Sequence, residues 1–267
     1  MSEADAIRAR VADHYARRVA APEGGAEVAV SALAGYAKAD VESAPEGAVS
    51  FGCGNPLAMC DVLPGDVVLD LGSGAGLDLI LAARRVGAQG RAIGVDMTEA
   101  MRTRARANLD EAGVKNAELR RGTIEALPVE SGSVDWVISN CVINLSPDKP
   151  RVFAEIERVL APGGHMLISD MVVSDLPGWV RRSVSLYNAC VGSALSEEEY
   201  LAGLRAAGLR DVEVAGRLIY SASQLAAIVR GELPGWLAGY RMEGWLGRLL
   251  RRFEGRVWSA QFRARKH

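Results

Sequence analysis

Sulfur and imidazole are scarce in this chain, which has four cysteines and three histidines among 267 residues. Cys53, Cys60, Cys141 and Cys190 are too few and too widely spaced for the disulfide framework of a small secreted domain, so they are expected as reduced thiols. No C-x2-C pair occurs and the histidines are scattered, which argues against a zinc site. Long hydrophobic runs are missing too: no stretch approaches the roughly 20 apolar residues that span a bilayer. The segment after Met1 is polar and charged, without the apolar core of a secretory signal. A cytoplasmic protein with no membrane partner is therefore expected. An excess of charge of one sign is also lacking. Lysine and arginine total 31 against 33 aspartates and glutamates, a net charge of −2, which argues against a general nucleic-acid binder.

What is present is enough apolar material, 49% of the chain, to fill the core of one large domain or two unequal ones. Residues 3–20 have helical spacing, with Ser2 as N-cap and Ile7, Val11 and Tyr15 on one face. Residues 21–50, rich in Ala, Gly and Pro, read as a long covering connection. Strands are then expected at 66–72, 91–97, 117–122, 134–140 and 165–171. Helices are expected at 77–86, 99–112 and 149–160, the last stopping at Ala161-Pro162-Gly163-Gly164. Strands separated by single helices need crossover connections, so the fold class is α/β with a doubly wound, mainly parallel sheet. Beyond residue 171 the pattern is mostly helical, with one strand at 209–217. The expected division is an N-terminal helix and covering segment (1–50), an α/β ligand-binding domain (51–171) and a smaller, mostly helical substrate region (172–267). The basic residues of the last 27 positions read as a solvated face, and Trp236, Trp245 and Trp258 as core anchors.

The first chemical motif is Asp70-Leu71-Gly72-Ser73-Gly74-Ala75-Gly76, between a strand and a helix, where open α/β sheets bind ligands. The dinucleotide spacing G-x-G-x-x-G fails because its last position is Leu77. The spacing is instead D-x-G-x-G-x-G, which resembles S-adenosylmethionine-dependent methyltransferases. Asp96 ends the next strand, where a carboxylate can accept both ribose hydroxyls. Gly122-Thr123-Ile124-Glu125 follows the third strand, the place where such methyltransferases hold the adenine.

Several segments together resemble the arsenite methyltransferases: GCGNP (52–56), VVLDLGSGAGLD (67–78), GVDMT (94–98), SNCVINLSPDK (139–149), RVLAPGG (158–164) and LYNACVGSALSEEEYL (186–201). VWSAQFRARK (257–266) is similar to that family's closing strand. The likeness is weakest over 21–50 and 218–256. It implies S-adenosylmethionine as cofactor, with contacts from Asp70, Gly72, Ser73, Gly74, Gly76, Asp96, Met97, Thr123, Ile124, Glu125 and Asn140. It also implies Cys53, Cys141 and Cys190 as the catalytic thiolates that ligate As(III). Trivalent arsenic is thiophilic and takes three ligands, so three thiols make chemical sense. The implied substrate is arsenite or its thiol conjugates, and the implied partner a thiol reductant, glutathione or thioredoxin; a monomer is expected.

Several arsenite methyltransferases carry a further cysteine ahead of the GCGNP turn, which pairs with the cysteine of that turn. Residues 1–52 contain none here, which leaves a disulfide relay without its usual partner unless Cys60 stands in. Otherwise Cys60 reads as packing. His14 and His165 read as surface or core residues, and Asp135 and Asp148 as local hydrogen-bonding groups. Two other readings stand beside the preferred one: a methyltransferase of an organic molecule on the same frame, and a non-catalytic thiolate metalloid binder. Three thiols are superfluous for the first, and the glycine loop with Asp96 for the second.

Overall fold

A computed structural model describes residues 2–20, 35–175, 187, 190–221, 224 and 255–267. Its sheet is built from β1 (Val67–Leu71), β2 (Arg91–Asp96), β3 (Ala117–Arg121), β4 (Val134–Asn140), β5 (Leu160–Val173), β6 (Arg210–Ile219) and β7 (Val257–Arg265), in the order β3-β2-β1-β4-β5-β7-β6. The first five run parallel, while β7 lies antiparallel between β5 and β6. The chain thus winds outward from β1 in both directions, and the order reverses between β1 and β4. Loops leaving the carboxyl ends of those two strands diverge there, which opens a crevice.

The helices arise where the sequence has 3.6-residue spacing. α1 (Glu3–Ala20) starts at Ser2, whose Oγ accepts from Asp5 N at 3.1 Å. A short α2 (Lys38–Ser43) lies in the stretch expected as a loop. α3 (Leu77–Val86) and α4 (Glu99–Glu111) complete the crossovers from β1 to β2 and from β2 to β3. α5 (Lys149–Val159) precedes β5 and is capped by Asp148, whose Oδ1 accepts from Arg151 N at 3.1 Å. α6 (Glu197–Ala206) follows later, with a Ser196/Glu199 capping box. Hydrophobic layers cover both faces of the sheet. Val68, Leu69 and Leu71 of β1 are fully buried, each contributing about 1.5–3 kcal/mol.

β5 differs from the sequence expectation. Leu160 already pairs with Val134, and the next pair is Trp136 with His165, so Ala161–Gly164 bulge out of the ladder. Gly163, at φ 77°, makes that excursion without a Cβ penalty. After Val173 the described residues supply α6, β6 and β7; the rest of the expected helical region, with Trp236 and Trp245, lies outside the described residues. Among the described basic residues near the C-terminus, Arg265 pairs with Asp211 and Lys266 with Glu157. His165 stacks on Trp136 at 5.0 Å, within the fold. No helix among the described residues is long and apolar enough to cross a membrane.

Candidate active site

At the β1–β4 crevice lies a cleft of about 960 Å³, its open mouth included. The glycine loop after β1 forms its floor. Gly72 and Gly74 have φ of 65° and 50°, and a Cβ at Gly72 would fall 2.5 Å from Val142. Glycine is therefore required both for the turn and for the close approach of the β4 loop. Asp96 holds the loop from the neighbouring strand, accepting from Gly74 N at 3.0 Å and Thr98 N at 2.7 Å. Met97 follows it on the wall, and Thr123, Ile124 and Glu125 line the side beyond β3. Glu125 is nearly buried, accepts from Ser146 Oγ at 2.6 Å and faces Arg8 of α1 at 3.5 Å. Val11 and Tyr15 of α1 also border the opening, as does Asn140 at the end of β4.

Of the sequence-assigned cofactor residues, all but Gly76 border this cavity. Gly76 instead packs against α4, where a Cβ would meet that of Ala105 at 3.2 Å, and its φ of 93° turns the chain into α3. Sequence reasoning missed Asp78, on the first turn of α3. Its carboxylate accepts from Tyr36 Oη at 2.8 Å and from Asn140 Nδ2 at 3.2 Å. Burial holds the carboxyls of Asp70, Asp78 and Asp96 above their ordinary range, Asp78 at about 6. Asp70 is 3% exposed, and its Oδ2 has no hydrogen-bond partner. A buried, unsatisfied carboxylate oxygen is costly unless a ligand meets it. Three acidic groups beside an open glycine cradle therefore suit a ligand with a positive charge and an apolar body.

Of the cysteines, Cys141 lines this cavity, and Cys53 and Cys190 contact that residue from outside the lining. Cys53 and Cys141 form a disulfide with Cα atoms 5.8 Å apart, which corrects the expectation of four reduced thiols. The residues come from the Gly52–Gly54 turn and the end of β4, 88 positions apart in sequence, so spacing gave no hint of the pairing. Cys141, not an N-terminal cysteine or Cys60, is the partner of Cys53. Cys60 is buried, donates to Pro56 O at 3.2 Å, and its thiol is pushed up to about 12 by burial, consistent with packing. Cys190 does reach the pair: its Sγ donates to Cys141 O at 3.0 Å. Cys53 and Cys141 are thus bonded to each other, while the sulfur of Cys190 reaches the backbone of Cys141 and lies outside the group of ligand atoms that those two sulfurs form with Asp170. Cys141 and Cys190 both adopt left-handed backbone, φ 59° and 60°, as do Asp175 and Asp211 away from the cavity; such strain is enriched at functional sites.

Sequence reasoning also missed Asp170. One of its oxygens and the sulfurs of Cys53 and Cys141 all lie within 4.8 Å of one another. It sits inside β5, fully buried, accepting from Asn144 N, Asn144 Nδ2 and Tyr200 Oη. Burial raises its carboxyl to about 7. No motif marks it, because its partners Asn144 and Tyr200 lie 26 and 30 positions away in sequence.

The family described as "Methyltransferase domain" matches residues 63–208. The arsenite methyltransferase of Halobacterium salinarum is 46% identical over 191 residues, 71% of this chain and 49% of that protein. That of Homo sapiens is 38% identical over 159 residues, 56% of this chain and 42% of that protein. The chain spans about half the length of the curated relatives it matches. The structure of CrArsM, an arsenic(III) S-adenosylmethionine methyltransferase from Chlamydomonas reinhardtii, superposes with a TM-score of 0.63 at 33% identity, covering 91% of this chain and 74% of that one. A phosphoethanolamine N-methyltransferase of Haemonchus contortus, at 20% identity and a TM-score of 0.61 over 80% of this chain and 53% of that one, shares the fold.

Proposed function

Because the chain belongs to the arsenite methyltransferase family, we propose that it transfers a methyl group from S-adenosylmethionine to trivalent arsenic held by cysteine thiolates. The observation that carries this reading is the Cys53–Cys141 sulfur pair at the edge of an acidic, glycine-floored cavity, with the Cys190 thiol hydrogen-bonded to the backbone of Cys141. S-adenosylmethionine supplies a methyl group on a positively charged sulfur. Asp70 and Asp78 offer the negative charge that draws such a cation in, Asp96 stands where ribose hydroxyls would be accepted, and the residues after β3 would face the adenine. Arg8, Val11 and Tyr15 of α1 restrict water at the mouth.

The disulfide must open first. Two electrons from glutathione or thioredoxin convert Cys53–Cys141 into two thiols, and the reductant leaves as its own disulfide. The two sulfurs and that of Cys190 then replace three oxygen or thiol ligands on As(III), whose lone pair remains available. Bound S-adenosylmethionine would offer its methyl carbon to that lone pair and leave as the neutral thioether, so no side chain need act as a base. The protein contributes alignment and exclusion of water. Arsenite and a thiol reductant are thus the partners of this reading.

Purified protein incubated with S-adenosylmethionine, arsenite and glutathione should yield methylated arsenicals, detected by chromatography with elemental mass spectrometry. Cys141→Ser should lower the rate by at least about 100-fold, as loss of a group that orients the reacting atom does. Unchanged turnover in Cys141→Ser would refute ligation by that residue.

A further inference from the structure

We propose that Asn140 is a positioning residue that sets how closely Cys53 approaches Cys141, and that Tyr36 and Asp78 make its setting respond to occupancy of the neighbouring cavity. The second half rests on the donor-binding reading above.

Asn140 immediately precedes Cys141, and Gly54 immediately follows Cys53. The Asn140 amide grips Gly54 at both edges: Nδ2 donates to Gly54 O at 2.6 Å, and Oδ1 accepts from Gly54 N at 3.1 Å. A single side chain therefore spans the two backbones that carry the sulfurs. The turn is pressed against it. A Cβ on Gly52 would lie 2.0 Å from Asn140 Cγ, and one on Gly54 would lie 2.7 Å from Ser169 Cβ on β5. Only a backbone without side chains fits this slot, so the height of Cys53 over the sheet is set by what lies beneath it.

The amide is shared with the cavity. Besides Gly54 O, Nδ2 lies 2.8 Å from Tyr36 Oη and 3.2 Å from Asp78 Oδ2. Tyr36 in turn donates to Asp78 at 2.8 Å. An amide nitrogen has two hydrogens, and here three acceptors compete for them. Asp78 and Asn140 both line the cavity, with the unpartnered Oδ2 of Asp70 nearby. A cationic ligand that occupies the Asp78 oxygens removes one competitor. Both hydrogens then serve Gly54 O and Tyr36 Oη, and the turn bearing Cys53 is held more firmly against β4. Cavity occupancy and sulfur–sulfur approach are thereby linked through a chain of hydrogen bonds.

The test follows the equilibrium in which the Cys53–Cys141 disulfide and two glutathiones give two protein thiols and glutathione disulfide, read by alkylation and mass spectrometry. Its constant reports the effective concentration of one thiol at the other. Asn140→Ala should favour the reduced pair by about tenfold or more, since loosened ends lower effective concentration. S-adenosylhomocysteine, whose sulfur is neutral but whose α-ammonium supplies the cation for Asp78, should shift the wild-type equilibrium toward the disulfide and leave that of Tyr36→Phe unmoved, although calorimetry shows it bound to both. A structural role alone would lower the melting temperature without abolishing the ligand response. An Asn140→Ala equilibrium within about twofold of wild type overturns the clasp. A wild-type response to S-adenosylhomocysteine in Tyr36→Phe overturns the link, and this variant keeps the test decisive should Asn140→Ala fail to fold. Failure of S-adenosylhomocysteine to bind the wild-type protein overturns the donor reading and the link with it, while the Asn140→Ala comparison still judges the clasp.

Discussion

Burial pushes the Asp78 carboxyl up to about 6, against the opposing hydrogen bonds from Tyr36 and Asn140. In the unfolded chain the same group ionises near 3.8. Between these values the folded protein keeps a proton that the unfolded protein has released. Stability therefore falls as pH rises through this window, and the ionised carboxylate weakens the empty fold at neutral pH. Asp78→Asn removes that linkage, so its stability should change less between about pH 4 and pH 6, by roughly 2–3 kcal/mol relative to wild type. Urea unfolding at a series of pH values measures this directly; parallel slopes for the two proteins would mean that Asp78 is not the responsible group. The glycine loop was legible in the sequence because its spacing is a local requirement of the backbone. Asp78 was passed over although it stands within the quoted motif: its role depends on Tyr36, 42 positions upstream, which no periodicity connects to it.

Elements were legible to the extent that one period governed them. α3, α4 and α5 match their expected limits closely because apolar residues recur on one face and Gly or Pro punctuates their ends. The bulged start of β5 was not, since Ala-Pro-Gly-Gly reads equally well as a break and as an excursion within a strand. Nor was α2, which is only six residues long. Two elements allow quantitative tests. Ser196 Oγ accepts from Glu199 N at 3.2 Å and Glu199 returns a bond to Ser196 N, so Ser196→Ala should cost about 1 kcal/mol without altering ligand affinity. Val11, 2% exposed, packs in one cluster with Cys141, Leu145 and Cys190. Val11→Ala should cost about 1–2.5 kcal/mol and speed alkylation of Cys190, because α1 no longer fills the space above that thiol. Equal alkylation rates in the two proteins would place the covering role elsewhere.

Across the whole molecule, the doubly wound topology brings together residues that the sequence keeps far apart. The reversal of strand order between β1 and β4 puts the glycine loop and Cys141 at adjacent strand ends, while the neighbouring β5 contributes Asp170. That arrangement explains why the cysteines could be matched to a chemistry but not to each other: their pairing is a property of the folded sheet. It also sets apart two binding events. The cavity is formed with the disulfide closed, so the oxidised protein should bind S-adenosylhomocysteine. On the proposed function arsenite would need the sulfurs, and it should be excluded until they are released. Reduction frees a cross-link between residues 88 positions apart and should lower stability by about 2–4 kcal/mol. Arsenite binding only the reduced, folded chain should then restore stability in proportion to the logarithm of its concentration. Thermal melts of oxidised and reduced protein across an arsenite series, with arsenic content measured after gel filtration, test both halves. Stoichiometric arsenic on the oxidised protein would place the metalloid at a site other than the Cys53–Cys141 pair.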